Sequence, residues 1–154
     1  EYILCYLIGD RKDYKSQVMD VQRRIGISNV LIIQSAENEN FMIEGAFVYR
    51  NAGPREFVQL IRNAALVCTD SFHATAICIN ISVNFVEFVR FDDADSHSQN
   101  SRIYDLLNRY QLNGRLYSSW DGKALDNNDY KKIQTMLEND RKYSLSFLIN
   151  AIEA

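Results

Sequence analysis

Short apolar segments alternate along the chain with segments in which apolar residues recur at helical spacing. Five of the apolar segments are rich in β-branched and aromatic residues, which is typical of strands buried inside a parallel sheet. They lie at residues 2–8, 29–33, 47–49, 65–69 and 83–89. We therefore predict five strands in the first ninety residues.

The intervening segments have the pattern of amphipathic helices. Residues 13–25 carry their apolar side chains on one helical face, and Gly26 is suited to cap the end. Pro54 indicates the start of a second helix, because its missing N–H would be unpaired in the first turn in any case. Three further helices are predicted at residues 72–80, around residues 103–110, and from a cap at Asp126 to the C-terminus.

The predicted order of elements is β-α-β-β-α-β-α-β-α-α. Strands that alternate with single helices imply right-handed crossovers and a parallel sheet covered by helices on both faces. No internal repeat or low-complexity tract interrupts this pattern. We therefore predict one doubly wound, Rossmann-like α/β domain over residues 1–154, with a mainly parallel sheet.

Composition excludes several classes of function. The net charge is −3 and the basic residues are scattered, so no nucleic-acid footprint is visible. Apolar runs are far shorter than the roughly 20 residues that span a bilayer, and no signal peptide is recognisable, so we expect a cytoplasmic protein. Cys5, Cys68 and Cys78 lie in apolar segments without Cys-x-x-Cys spacing, which favours core cysteines over disulfides or zinc ligands.

The strongest candidate for chemistry is the run Thr-Asp-Ser-Phe-His-Ala at residues 69–74, where a predicted strand turns into a helix. Ligands of open α/β sheets bind outside the carboxyl ends of the strands. Asp70 or Ser71 can cap the helix, and the free N–H groups of its first turn would bind an anion. His73 would lie beside that anion as a proton donor near neutral pH. The alternative is an ordinary N-cap followed by a half-buried histidine that bonds to a backbone carbonyl.

Other polar segments are less specific. The loop at residues 90–100 follows a strand and is predicted either to close over a substrate or to be a solvated loop. Asp93, Asp95 and His97 in it are candidate metal ligands under a third interpretation of the same loop. Trp120 could stack on a sugar ring or pack as an interface aromatic. A Gly-x-Gly-x-x-Gly fingerprint, a P-loop and a Gly-x-Ser-x-Gly elbow are all absent from the sequence.

Two stretches of the sequence form a longer motif around this turn. Residues 52–64 read AGPREFVQLIRNA and residues 67–75 read VCTDSFHAT. Together they resemble a stretch that many members of the polysaccharide pyruvyl transferase family carry. The resemblance continues through FVEF at residues 85–88 and NSRIYDLL at residues 100–107, then to Leu112 and Arg115. The opening YLIGD at residues 6–10 is also similar to the start of the family's C-terminal domain. The similarity thus extends over about residues 1–115.

The resemblance implies a two-domain fold like that of GT-B glycosyltransferases, with the site in the cleft between domains. The family transfers the enolpyruvyl unit of phosphoenolpyruvate to two hydroxyls of a saccharide acceptor, which gives a pyruvate ketal in cell-surface polysaccharide. His73 matches the family's histidine beside phosphoenolpyruvate. From the resemblance and the strand-end rule together we expect substrate contacts from a wider set: Asp10, Arg11, Asp70, Ser71, Phe72, Ala74, Arg90, Ser101 and Arg102.

This sequence departs from the family at the same turn. Characterised members often read Arg-Leu-His, where this chain has Ser71-Phe72-His73, and the serine cannot supply the arginine's charge. Arg11, Arg90 or Arg102 would have to replace it. No metal or cofactor is implied, phosphoenolpyruvate being a co-substrate. We expect the chain to be the C-terminal half of a bacterial transferase, lacking its N-terminal domain and inactive alone. The alternatives are a nucleotide-sugar glycosyltransferase half and a catalytically lapsed sugar- or anion-binding module.

Overall fold

A computed structural model describes residues 1–95 and 97–153. It contains five strands, β1 (Ile3–Tyr6), β2 (Val30–Ile33), β3 (Phe47–Tyr49), β4 (Leu66–Thr69) and β5 (Phe85–Glu87). The helices are α1 (Tyr14–Ile25), α2 (Pro54–Arg62), α3 (Phe72–Ile81), α4 (Asn100–Arg109) and α5 (Asn127–Glu153). Short 3-10 turns at Ala36–Asn38, Asn113–Arg115 and Tyr117–Ser119 complete the set.

The five strands form one sheet in the order β3-β2-β1-β4-β5, and every pair is parallel. The doubly wound α/β fold predicted from the sequence is therefore confirmed. The chain builds the sheet outward from β1 to β3 and then returns to place β4 on the other side of β1. The loops after β1 and β4 therefore leave in opposite directions, and a crevice opens between them at the carboxyl ends of the strands.

The core of the sheet is apolar because its strands are covered on both faces. Tyr14, Val18 and Val21 of α1 are completely buried, as the helical pattern predicts. The three cysteines are buried and free, which confirms their prediction as core residues. Trp120 is also buried, and its indole N–H donates to the Lys123 carbonyl at 2.9 Å. Its ring is thus part of the core and is not open to stack on a sugar.

The chain divides into two compact units, Glu1–Ala124 and the segment from Leu125 onward. The first holds the whole sheet. The second consists mainly of α5, whose start is capped as predicted: the Asp126 carboxylate accepts the N–H groups of Asn128 and Asp129 at 2.7 and 2.9 Å. Within residues 1–95 and 97–153, no helix is long and apolar enough to cross a membrane.

Candidate functional site

An open cleft of about 470 Å³ lies over the carboxyl ends of β1, β2, β3 and β4. This is the place at which the reversal in strand order opens a crevice. Its lining joins side chains from the ends of these four strands and the segments that follow them: Tyr6, Ile8, Ile33, Gln34, Ser35, Ala36, Glu37, Arg50, Asn51, Ala52, Pro54, Phe57, Ser71 and His73. We refer to it as the strand-end cleft.

The N-terminus of α3 contributes Ser71 and His73 to the strand-end cleft. Ser71 is the N-cap residue, and its Oγ accepts the Ala74 N–H at 3.5 Å. The two N–H groups between these residues, those of Phe72 and His73, have no acceptor among the described residues. Unpaired N–H groups at a helix start carry partial positive charge, so this turn can bind an anion.

The side chain of His73 is exposed at the cleft. Its ring meets the Phe72 ring edge-on at 5.9 Å, and its imidazole makes no hydrogen bond within the described part of the chain. The alternative of a half-buried histidine bonded to a carbonyl therefore does not hold. The imidazole can approach a bound ligand, as a proton donor must.

Asp70 faces the opposite way from His73, into the protein. Its carboxylate is fully buried and accepts the N–H groups of Ile8 and Gly9 and the Tyr14 hydroxyl, all at 2.7 Å. Burial, followed by the charge and hydrogen bond of Asp70, raises the pKa of Tyr14 above its ordinary value. Asp70 thus fastens the loop after β1 to the turn after β4, and in this structure it has no surface for a substrate.

Arg90 and Arg102 lie beside a separate cavity of about 30 Å³, room for roughly two water molecules. The Arg90 guanidinium donates to the Asp70 carbonyl at 3.2 Å, and its Nε is 3.4 Å from the Asp70 carboxylate. Arg102 donates to the Gln99 side chain, and its guanidinium lies 6.0 Å from the Phe72 ring centre. The structure therefore does not bring these two arginines into the cleft with His73.

The remaining predicted contacts are scattered. Asp10, Arg11 and Ser101 are exposed and lie outside the cleft lining. Arg11 is paired with Asp13 at 3.1 Å, which lowers the pKa of that carboxyl below its usual value. Ala74 is completely buried, so its side chain is inaccessible to a ligand.

The loop between β5 and α4 is tied to the helix that follows it. The buried amide of Asn100 donates to the Phe91 carbonyl at 2.9 Å and to the Asp93 carboxylate at 2.8 Å. Asp93 also accepts the Tyr104 hydroxyl at 2.8 Å, and burial followed by this contact raises the pKa of Tyr104 to about 12. Among the described residues, no cluster of three or more His, Cys, Asp or Glu side chains could hold a metal.

Several cleft residues were missed in the sequence. Arg50 and Glu37 place opposite charges on the lining, and Tyr6 meets Phe57 edge-on at 4.8 Å as an aromatic wall. Burial raises the pKa of Tyr6 above its ordinary value, and Glu37 and Asp70 add to the effect. Arg50 directly follows β3, so the rule that selected residues 69–74 could have found it.

A family model supports the resemblance seen in the motifs. The model described as polysaccharide pyruvyl transferase matches residues 1–92, more than half of the 154 residues. The matched range includes every residue of the strand-end cleft and ends before α4. No curated protein matches the chain significantly. On the strength of the family match, the chain belongs to the polysaccharide pyruvyl transferase family.

Proposed function

We propose that this chain is the donor-side half of a ketal pyruvyl transferase. The strand-end cleft binds phosphoenolpyruvate, and a second α/β domain brings the saccharide acceptor to it. The reaction supplies pyruvate ketals for cell-surface polysaccharide in the cytoplasm, with phosphoenolpyruvate as co-substrate and no other cofactor. One observation carries the proposal: an accessible histidine lies in one cleft with the start of a helix whose first N–H groups are unpaired, inside the range that matches the family.

The anionic donor suits the electrostatics of this cleft. Phosphoenolpyruvate carries a phosphate and a carboxylate, and the first turn of α3 offers the N–H groups of Phe72 and His73 to one of them. Arg50 on the cleft lining is available for the other, because a guanidinium forms paired hydrogen bonds with phosphate or carboxylate. Arg50 therefore supplies the positive charge that other family members obtain from an arginine at the position of Ser71.

Pyruvyl transfer needs one residue beside phosphoenolpyruvate that can give up a proton. Protonated His73 gives its proton to the methylene carbon of phosphoenolpyruvate, which becomes a methyl group, and C2 becomes an oxocarbenium-like centre. One acceptor hydroxyl forms a C–O bond to C2, phosphate leaves with the C2–O bond electrons, and the second hydroxyl closes the ketal ring. One hydroxyl proton replaces the proton that His73 gave to the methyl group, and the other hydroxyl proton ends on the released phosphate. Held in place, such a proton donor contributes roughly 10²–10⁴ to the rate.

Replacement of His73 tests the proposal in the protein that carries both domains. His73→Gln should lower pyruvyl transfer by about 10²–10⁴ with little change in stability, because the side chain is exposed. His97→Gln is the matched control, since this histidine is also exposed but lies in the loop between β5 and α4. A fully active His73→Gln protein would exclude the catalytic assignment.

A pair of variants tests whether Arg50 binds an anionic group of phosphoenolpyruvate. Arg50→Gln should raise the KM for phosphoenolpyruvate, whereas replacement of the exposed Arg55 of α2, Arg55→Gln, should leave it unchanged. Thermal stabilisation by a uridine or guanosine diphosphate sugar, with none by phosphoenolpyruvate, would favour the glycosyltransferase alternative. Donor binding without turnover by the two-domain protein would instead indicate a lapsed enzyme.

A further inference from the structure

Glu87 is an acidic residue buried in the apolar layer between β5 and α3. It is the last residue of β5, its exposure is 0%, and its side chain meets Thr75 of α3. One carboxyl oxygen, Oε2, lies within hydrogen-bond distance of the Thr75 hydroxyl. The other, Oε1, has no partner among the described residues. A charged carboxylate would be costly here, because buried charges need paired or hydrogen-bonded surroundings.

The hydrogen bonds of Thr75 indicate the direction of this contact. The Thr75 hydroxyl has a single proton to donate. Its oxygen lies 3.0 Å from the carbonyl oxygen of Ser71, which can only accept a hydrogen bond. If Thr75 donates to Ser71, the contact with Glu87 needs a proton on the carboxyl group. If Glu87 were ionised, its carboxylate would accept the hydrogen bond from the Thr75 hydroxyl, and the Ser71 carbonyl would lose its hydrogen bond from that hydroxyl. The protonation state of Glu87 therefore decides which way the hydroxyl points.

The groups that face Glu87 do not supply a compensating charge at contact distance. Asp70 disfavours ionisation of Glu87 and Arg90 favours it. Cys78 of α3 is also close, and the pKa of its thiol is raised first by its own burial and then by Glu87. Burial is the largest effect on Glu87 and raises its pKa well above the ordinary value. Arg90 is already paired with Asp70 at 3.4 Å.

We propose that Glu87 is a neutral carboxylic acid in the folded protein and a positioning residue for the strand-end cleft. It donates to Thr75, which donates to the carbonyl of Ser71, the N-cap residue of α3. Consecutive hydrogen bonds that run in one direction strengthen each other. The chain of bonds holds the helix start that presents the Phe72 and His73 N–H groups. Its role in donor binding rests on the function proposed above.

The protonation claim can be tested on the chain without any ligand. At neutral pH, infrared spectroscopy should show a carboxylic acid C=O band that disappears in Glu87→Gln. The Ser71 carbonyl ¹³C resonance should be the same in the wild type and in Glu87→Gln, because both side chains donate to Thr75. Absence of the acid band, or a Ser71 resonance that moves in Glu87→Gln, would overturn the protonation claim.

Thr75 variants test the positioning claim. Thr75→Val should move the Ser71 carbonyl resonance and the Phe72 and His73 amide resonances, whereas Thr75→Ser keeps the hydroxyl and should restore them. Phosphoenolpyruvate should bind roughly fivefold more weakly to Thr75→Val than to Thr75→Ser, the factor expected for one ordinary hydrogen bond. Unmoved amide resonances or equal affinities would overturn the positioning role. If the wild type fails to bind phosphoenolpyruvate, the proposed function fails, while the resonances still decide the role of Thr75.

Discussion

Replacement of Asp70 by Asn separates a scaffold role from a substrate role at the turn after β4. One oxygen of the carboxylate accepts from Ile8, and the other accepts from Gly9 and Tyr14. An amide has a single acceptor oxygen, so its NH₂ group would oppose at least one of these donors. Arg90 would also lose its charged partner.

The expected cost follows from these contacts. A hydrogen bond to a charged group contributes about 1.5–3 kcal/mol, and removal of one member of a buried charged pair costs about 3–5 kcal/mol. We expect Asp70→Asn to lower the free energy of unfolding by about 3–4 kcal/mol. For a chain of this size that lowers Tm by roughly 10 °C.

Urea denaturation and calorimetry measure this loss. Asp10→Asn is the matched control, because Asp10 is exposed in the loop after β1 and should change stability by less than about 0.5 kcal/mol. Equal stabilities of the two variants would refute the scaffold role. If Asp70→Asn kept the stability of the wild type but lost phosphoenolpyruvate binding, the residue would belong to the substrate site after all.

Three further predictions concern the same framework. Gly9→Ala should destabilise by about 1–3 kcal/mol in urea denaturation, since the new Cβ would lie 2.7 Å from Cγ of Arg90, whereas Gly114→Ala, with open space around it, should be tolerated. Arg115→Lys should cost about 1–3 kcal/mol by the same assay, because the buried guanidinium donates to the Phe85 carbonyl through two nitrogens. Since burial raises the folded-state pKa of Glu87, the folded chain keeps a proton that the unfolded chain loses above about pH 4.3. Stability should therefore fall as pH rises from there to the folded-state pKa, and Glu87→Gln should remove this fall; identical pH profiles would contradict it.

The strands and helices could be predicted because each carries its own local signal. Pro54 fixes the start of α2, and Gly26, with a φ of 76°, ends α1 in the left-handed conformation expected of a capping glycine. His73 could be placed at a strand end because it follows an unbroken apolar segment. These inferences need only neighbouring residues in the sequence.

Side-chain direction could not be predicted, because it depends on which loops the strand order brings together. Asp70 turns inward only because β1 lies next to β4, which places the Ile8 and Gly9 N–H groups beside it. Arg90 contacts Asp70 and does not line the strand-end cleft, whereas Arg50 does. Glu87 did have a signal, as a single charged residue within an apolar strand.

Whether phosphoenolpyruvate binds in the strand-end cleft is tested most directly by an NMR titration of the isotope-labelled chain. We expect a dissociation constant in the millimolar range, which corresponds to about 4 kcal/mol, because under the proposed function this chain supplies only one wall of the site and so only part of the contacts. The largest shifts should fall on the amides of Phe72 and His73 and on the Arg50 side chain. Shifts centred on Arg90 and Arg102, or no shifts at all, would contradict the assignment.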